Sequence, residues 1–109
     1  MQSKDEIVTA VDRLSSELIA TSRFLHQHPE LAYEERESVQ HLTSLLRTHG
    51  FEVIEGVGGL STAFVASAGV AHPSATIAFL AEYDALPSLG HACGHNLIAT
   101  SSVGAALAL

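Results

Sequence analysis

The spacing of apolar residues changes at Gly50, and that change constrains the fold more than any other feature of the chain. Before Gly50, apolar residues recur three or four positions apart, the spacing of one helix face. Ile7, Val11, Leu14, Leu18 and Leu25 make one such stripe, and Val39, Leu42, Leu45 and Leu46 make a second. After Gly50 come short apolar runs bounded by glycine and proline, the pattern of strands and turns. A chain with both patterns has to pack helices against a sheet.

The boundaries follow from local chemistry. A first helix is predicted from about Ser3 to about His26, opened by a Ser3/Glu6 capping box and closed ahead of Pro29, which drives the preceding residue out of the helical region. A second is predicted from about Tyr33 to about Thr48, with Gly50 placed for a left-handed C-cap. Phe51–Glu55 and Ser61–Ala66 read as paired strands around a turn made by Gly56, Gly58 and Gly59. His72-Pro73-Ser74 reads as a loop. Ala75–Ala81 is almost entirely apolar, which suits a strand covered on both faces. Asp84–Gly90 is a loop, and from about Asn96 the chain is helical, with Ala99, Gly104, Ala105 and Ala106 small enough for close packing. The predicted order is α-α-β-β-β-α, an α/β domain with a mixed sheet. The pattern reaches Leu109 with no C-cap, so residues 1–109 are expected to be one piece of a longer domain.

Composition narrows the function. Of the 109 residues, 47% are hydrophobic and 16% charged, a globular balance. Twelve acids against five bases give a net charge of -7, which disfavours nucleic acid and anionic membrane surfaces, both of which recruit cations. With one cysteine there is no internal disulfide. The polar start lacks the apolar core of a signal peptide, and no apolar run approaches the ~18 residues of a membrane span. A soluble, cytoplasmic protein is expected.

Chemistry concentrates at His91-Ala92-Cys93-Gly94-His95. It follows the loop after an apolar strand, where ligand sites collect in α/β sheets. Residues two apart in a turned segment can face one ion, and Gly94 permits the backbone such a turn needs. Thiolate and imidazole are good ligands for zinc, and a helix starting near Asn96 would place its positive end beside the thiolate. A Cys-Gly-His triplet alone also fits a buried cysteine beside a histidine bonded to backbone. Glu82-Tyr83-Asp84 adds two carboxylates just upstream, and Asp84 is placed to orient a metal-bound imidazole or to cap a turn. In His26-Gln27-His28-Pro29-Glu30 the histidines suit a helix end facing its own dipole. His41 and His49 are expected at the surface of the second helix.

Leu25-His26-Gln27-His28-Pro29-Glu30-Leu31, then Asp84-Ala85-Leu86-Pro87, then His91-Ala92-Cys93-Gly94-His95 together resemble the dinuclear-metal exopeptidases and amidohydrolases. That family includes aminoacylases and carboxypeptidase G, with auxin-conjugate hydrolases and p-aminobenzoyl-glutamate hydrolase as the nearest branch. The resemblance runs from about Leu18 to the end. Family members are far longer, with a zinc-exopeptidase-like catalytic domain interrupted by a dimerisation domain, and this chain matches only the opening part. The resemblance implies Cys93 and His95 as metal ligands and Asp84 as an orienting residue, with His91 and Glu82 outside the ligand set but near it. His26, His28 and Glu30 match a signature read as structural. Asn96 and Ile98 stand where the auxin type has aspartate and histidine, and Glu82-Tyr83 where it has aspartate and methionine. Both departures lean towards the p-aminobenzoyl-glutamate hydrolase and dipeptidase-like subgroup.

The implied activity is hydrolysis of an amide bond in small N-acyl amino acids or dipeptides, with two divalent ions, zinc or manganese, in a full-length homodimer. The general base and the remaining ligands are expected outside this chain, which alone would be inactive and empty of metal. Two alternatives stay open: a cysteine hydrolase with Cys93 as nucleophile, which needs a histidine base at the sulfur, and a non-catalytic α/β module completed by a partner chain.

Overall fold

Helix α1, Lys4–Arg13, starts at a reciprocal cap: Glu6 N–H donates to the Ser3 hydroxyl at 3.2 Å and Ser3 N–H donates to the Glu6 carboxylate at 2.6 Å. The computed structural model describes residues 2–109. The single long helix expected from the stripe is divided at Leu14, and α2 runs over Ser15–Gln27. Leu14 itself keeps right-handed helical angles, φ -85° and ψ -4°, and the Leu18 N–H still donates to its carbonyl at 2.9 Å, so the break is slight. The break also separates two environments. No residue of α1 is buried, whereas α2 buries Thr21 and Leu25.

Helix α3 spans Arg36–Thr48, three residues shorter at its start than expected. The chain turns first at Tyr33, whose φ of 71° is left-handed. Val39, Leu42 and Leu46 are buried as the sequence predicted, and Leu45 is partly buried. Gly50, at φ 85°, ends the helix. Its N–H donates to the Arg47 carbonyl and that of Phe51 to the Leu46 carbonyl, both at 3.0 Å, satisfying two carbonyls of the last turn.

Strands β1, Glu52–Glu55, and β2, Phe64–Ser67, form an antiparallel pair in which Val53 faces Ala66 and Ile54 faces Val65. A 3-10 turn at Val57–Gly59 joins them. The expected third strand is absent: among the described residues the sheet has two strands, not a mixed set. Residues 75–80 are exposed, with Ile77 at 66% and Leu80 at 85%. An apolar run becomes a strand only where neighbouring peptides complete its hydrogen bonds, and neither β1 nor β2 does so. The segment is held by side-chain contacts instead, Ser102 Oγ donating to the Leu80 carbonyl at 2.5 Å and Ala81 packing on the core.

Helix α4, His95–Ala108, closes the core. Leu25, Leu42, Leu46, Ala99 and Val103 form its centre. Small residues in α4 matter as predicted: a Cβ on Gly104 would sit 2.9 Å from Leu18 Cδ1. The order is therefore α1-α2-α3-β1-β2-α4, a mixed α/β arrangement. No described helix is long and apolar enough to cross a membrane.

Candidate functional site

The segment after Pro29 lies alongside the segment after Asp84. Leu31 and Ala85 form a parallel bridge, and Ala85 N–H donates to the Glu30 carbonyl at 2.7 Å. Glu30 also reaches the other way. Its carboxylate accepts from the N–H of Glu37 at 2.9 Å and from the N–H and hydroxyl of Ser38 at 2.7 Å each. It thus caps α3 from six residues upstream. Burial alone would raise its pKa; these donors outweigh that and hold it below the usual carboxylate range.

A second tie passes through Glu35, which is buried. It accepts from Tyr33 N–H at 2.8 Å and from the Thr62 hydroxyl at 2.5 Å. The Tyr83 hydroxyl donates to the Thr62 carbonyl. Burial, then the nearby Glu35 charge, push the Tyr83 phenol up to about 12. Tyr83 is therefore a neutral donor that fixes the chain between Glu82 and Asp84.

Those two carboxylates meet His95 at the start of α4. His95 Nδ1 lies 2.7 Å from Asp84 Oδ1 and 3.0 Å from the Asp84 carbonyl. Both partners are acceptors, so Nδ1 carries the hydrogen. His95 Nε2 lies 3.3 Å from Glu82 Oε2. The turn that delivers His95 is set by Gly94, at φ 85°, whose N–H donates to the His91 carbonyl at 3.2 Å. Asn96 then ties α4 to α2, its amide donating to Ser22 Oγ at 3.3 Å.

His91 is buried, and neither ring nitrogen has a well-aligned hydrogen-bond partner in the protein, although the Leu25 backbone lies close to the ring. A neutral imidazole has one donor and one acceptor, and leaving a buried polar group unmet costs about 1–3 kcal/mol. Burial first, then the charges of His26 and His95, hold its pKa down; Asp84 and the Leu25 backbone oppose them.

Of the residues singled out in sequence, Glu82, Asp84 and His95 are brought together, and His91 is buried beside them. Cys93 is exposed. Its two neighbouring histidines are not its bases, since His95 is turned to Asp84 and Glu82 and His91 has no partner. Among the described residues, no group of three or more His, Cys, Asp or Glu side chains is arranged to hold a metal ion. Two open grooves, of about 400 and 460 Å³, lie between other elements and include none of these five residues.

The other histidines divide. His28 Nδ1 sits 2.8 Å from the Phe24 carbonyl, at the end of α2 as expected. His41 is not a free surface residue: it stacks on Phe24 with ring centres 4.3 Å apart and lies 3.0 Å from the Thr21 hydroxyl. His28 stacks on Phe24 as well, at 4.1 Å. His49 pairs with Glu17 at 3.0 Å.

No family model matches the chain. Curated proteins do. Over 107 residues, covering 91% of this chain, it is 45% identical to the Xaa-Arg dipeptidase of Mus musculus. Over 75% of the chain it is 41% identical to one of the subunits of p-aminobenzoyl-glutamate hydrolase from Escherichia coli. Over 86% it is 31% identical to the N-acyl-L-amino acid amidohydrolase of Geobacillus stearothermophilus. The chain belongs to this family of amidohydrolases and peptidases. It spans 25%, 20% and 29% of those three relatives, in that order.

Proposed function

We propose that the whole protein is a metal-dependent amidohydrolase acting on N-acyl amino acids or dipeptides. In this reading residues 1–109 are the N-terminal part of a mixed-sheet, zinc-exopeptidase-like catalytic domain, and the protein works as a homodimer with a dimerisation domain outside this chain. The observation that carries the reading is the Asp84–His95 pair. A carboxylate that fixes the hydrogen on Nδ1 leaves Nε2 as the basic, ligating nitrogen, the arrangement common to metal-bound histidines. The unpartnered, buried His91 beside it is a second mark of a site that takes something polar.

The residues fit divalent ions, zinc or manganese, as a partial set. His95 Nε2 and the exposed Cys93 sulfur would hold metal, and Asp84 would orient His95. Two divalent ions, when bound, supply a polarised carbonyl and an activated water. The chain's own part is positioning: Glu30 and Tyr83 fix the backbone on either side of Asp84, and Asp84 fixes His95. Since it spans only 20–29% of its relatives, the 109-residue chain alone is proposed to be inactive. The similarity to dipeptidase and N-acyl amino acid amidohydrolase relatives supports the substrate class. The departures at Asn96 and Ile98 support the dipeptidase and p-aminobenzoyl-glutamate side of it.

The test is elemental analysis of the whole protein together with hydrolysis of N-acyl amino acids and dipeptides. About two metals per chain, lost together with activity in Cys93→Ala, is the expected result. A metal-free protein that still hydrolyses these amides after chelation would overturn the reading.

A further inference from the structure

The contact between His95 and Glu82 does not close as a hydrogen bond. At 3.3 Å it lies outside the usual 2.7–3.2 Å range for N–H···O. The hydrogen of a neutral His95 ring is already committed, because Nδ1 faces two acceptors, the Asp84 carboxylate and the Asp84 carbonyl. Nε2 therefore turns a lone pair towards a carboxylate oxygen that has only lone pairs of its own. Two such groups repel unless a proton or a metal ion lies between them.

The separation is that of two neighbours around one ion. With Zn–N of 2.0–2.1 Å and Zn–O of 2.0–2.2 Å at a tetrahedral angle, nitrogen and oxygen ligands stand about 3.4 Å apart. Access is open as well. The Glu82 side chain is 61% exposed while that of His95 is 22% exposed and held from behind by Asp84, so an ion can enter from the Glu82 side.

We infer that Glu82 is itself a metal ligand, sharing one divalent ion with His95 Nε2. This rests on the metal-dependent reading above and adds a residue to its ligand set. Glu82 supplies a charged oxygen near Nε2 and Asp84 one at Nδ1, so the two carboxylates have different tasks. Asp84 holds the hydrogen of the ring and Glu82 holds the ion. Tyr83, between them in sequence, is anchored on the Thr62 carbonyl.

The test uses the whole protein with zinc. Wild type and Cys93→Ala are compared first for metal content. If wild type takes up no zinc, the metal-dependent reading fails and this inference with it. If it does, Glu82→Gln is expected to weaken zinc binding at least tenfold in a chelator competition, about the lower bound seen for partners of metal ligands. Glu82→His is expected to restore binding and to add one imidazole to the zinc shell by X-ray absorption. Circular dichroism checks that both variants fold. Unchanged affinity in Glu82→Gln, or a Glu82→His protein whose zinc shell gains no imidazole, would overturn the assignment while leaving the metal site standing.

Discussion

Glu30 Oε1 accepts two hydrogen bonds from Ser38, one from its backbone N–H and one from its hydroxyl, each 2.7 Å long. One carboxylate thus meets the open end of α3 while the same residue's carbonyl holds Ala85, next to Asp84. Glu30→Ala is expected to cost about 0.5–2 kcal/mol, the range for loss of a helix cap. For a chain of this size that lowers Tm by roughly 4–8 °C per kcal/mol, measured by thermal unfolding. Because its folded pKa lies below the unfolded one, the Glu30 contribution is present above the unfolded carboxylate pKa. It is lost as pH falls through the folded value. The acid arm of the stability curve should therefore be shallower in the variant.

His41 makes the opposite titration count in the same direction. Burial first, and His28 second, lower its pKa in the folded chain. The groups around it are Thr21 and Phe24 from α2 and His28 just after it, with Glu17 and Glu37 lining the same groove. A histidine depressed by folding favours the fold above its unfolded pKa of about 6.5 and loses that contribution as pH falls. Tm is expected to drop between pH 7.5 and pH 5.5, and to drop less in His41→Gln. Equal slopes in both proteins would place the loss elsewhere.

Gly104 is where α4 and α2 touch. Gly104→Ala would put a Cβ 2.9 Å and 3.2 Å from the two Leu18 methyls. Because the atoms met are the free methyls of a partly buried side chain that can turn aside, and alanine regains up to about 1 kcal/mol of helix propensity, the net cost falls below the usual ~1–3 kcal/mol of overpacking. Leu18→Ala in the same chain should recover part of it, so a double-mutant cycle by urea unfolding is expected to show coupling.

Asp84→Ala removes the acceptor that fixes His95 Nδ1–H. In the whole protein, metal affinity is expected to fall about 10–100-fold, the range for partners of metal-bound histidines, measured against a chelator. The 109-residue chain gives a readout free of metal: nitrogen-15 shifts of the His95 ring should show hydrogen on Nδ1 in wild type and a tautomer mixture in Asp84→Ala. An unchanged ring spectrum would remove Asp84 from its orienting role.

Tyr83→Phe leaves the Thr62 carbonyl without its donor. The expected cost is about 0.5–1.5 kcal/mol by urea unfolding. A phenol raised from about 10 to about 12 favours the fold below the unfolded value and loses that contribution as pH rises through the folded one. Wild type is therefore expected to lose stability above pH 10, and the phenylalanine variant to lose less.

The features legible in the sequence are those that short-range chemistry sets. The Ser3/Glu6 cap, the Gly50 helix end and the buried face of Val39, Leu42 and Leu46 depend on residues a few positions apart. The Asp84–His95 pair was within reach because three motifs stand in register. Glu30 stands out in the sequence only as part of a structural signature, without its partners, and Glu35 does not stand out at all, because those partners lie across a turn or, at Thr62, on the far side of the hairpin. His41 looked exposed because nothing local announces a ring stacked between helices. Ala75–Ala81 misled for a different reason: an apolar run reports a preference for burial but not which strand will provide it.

That segment has one more consequence. Ala75-Thr76-Ile77-Ala78-Phe79-Leu80 is six residues without charge, proline or glycine, with its peptide groups outside any ladder. Such hexamers stack on their own copies into fibril-like sheets. In the purified 109-residue chain, working concentration is therefore expected to be limited by self-association through residues 75–80 before it is limited by unfolding. A lysine at Ile77, the usual device on natural sheet edges, should extend it.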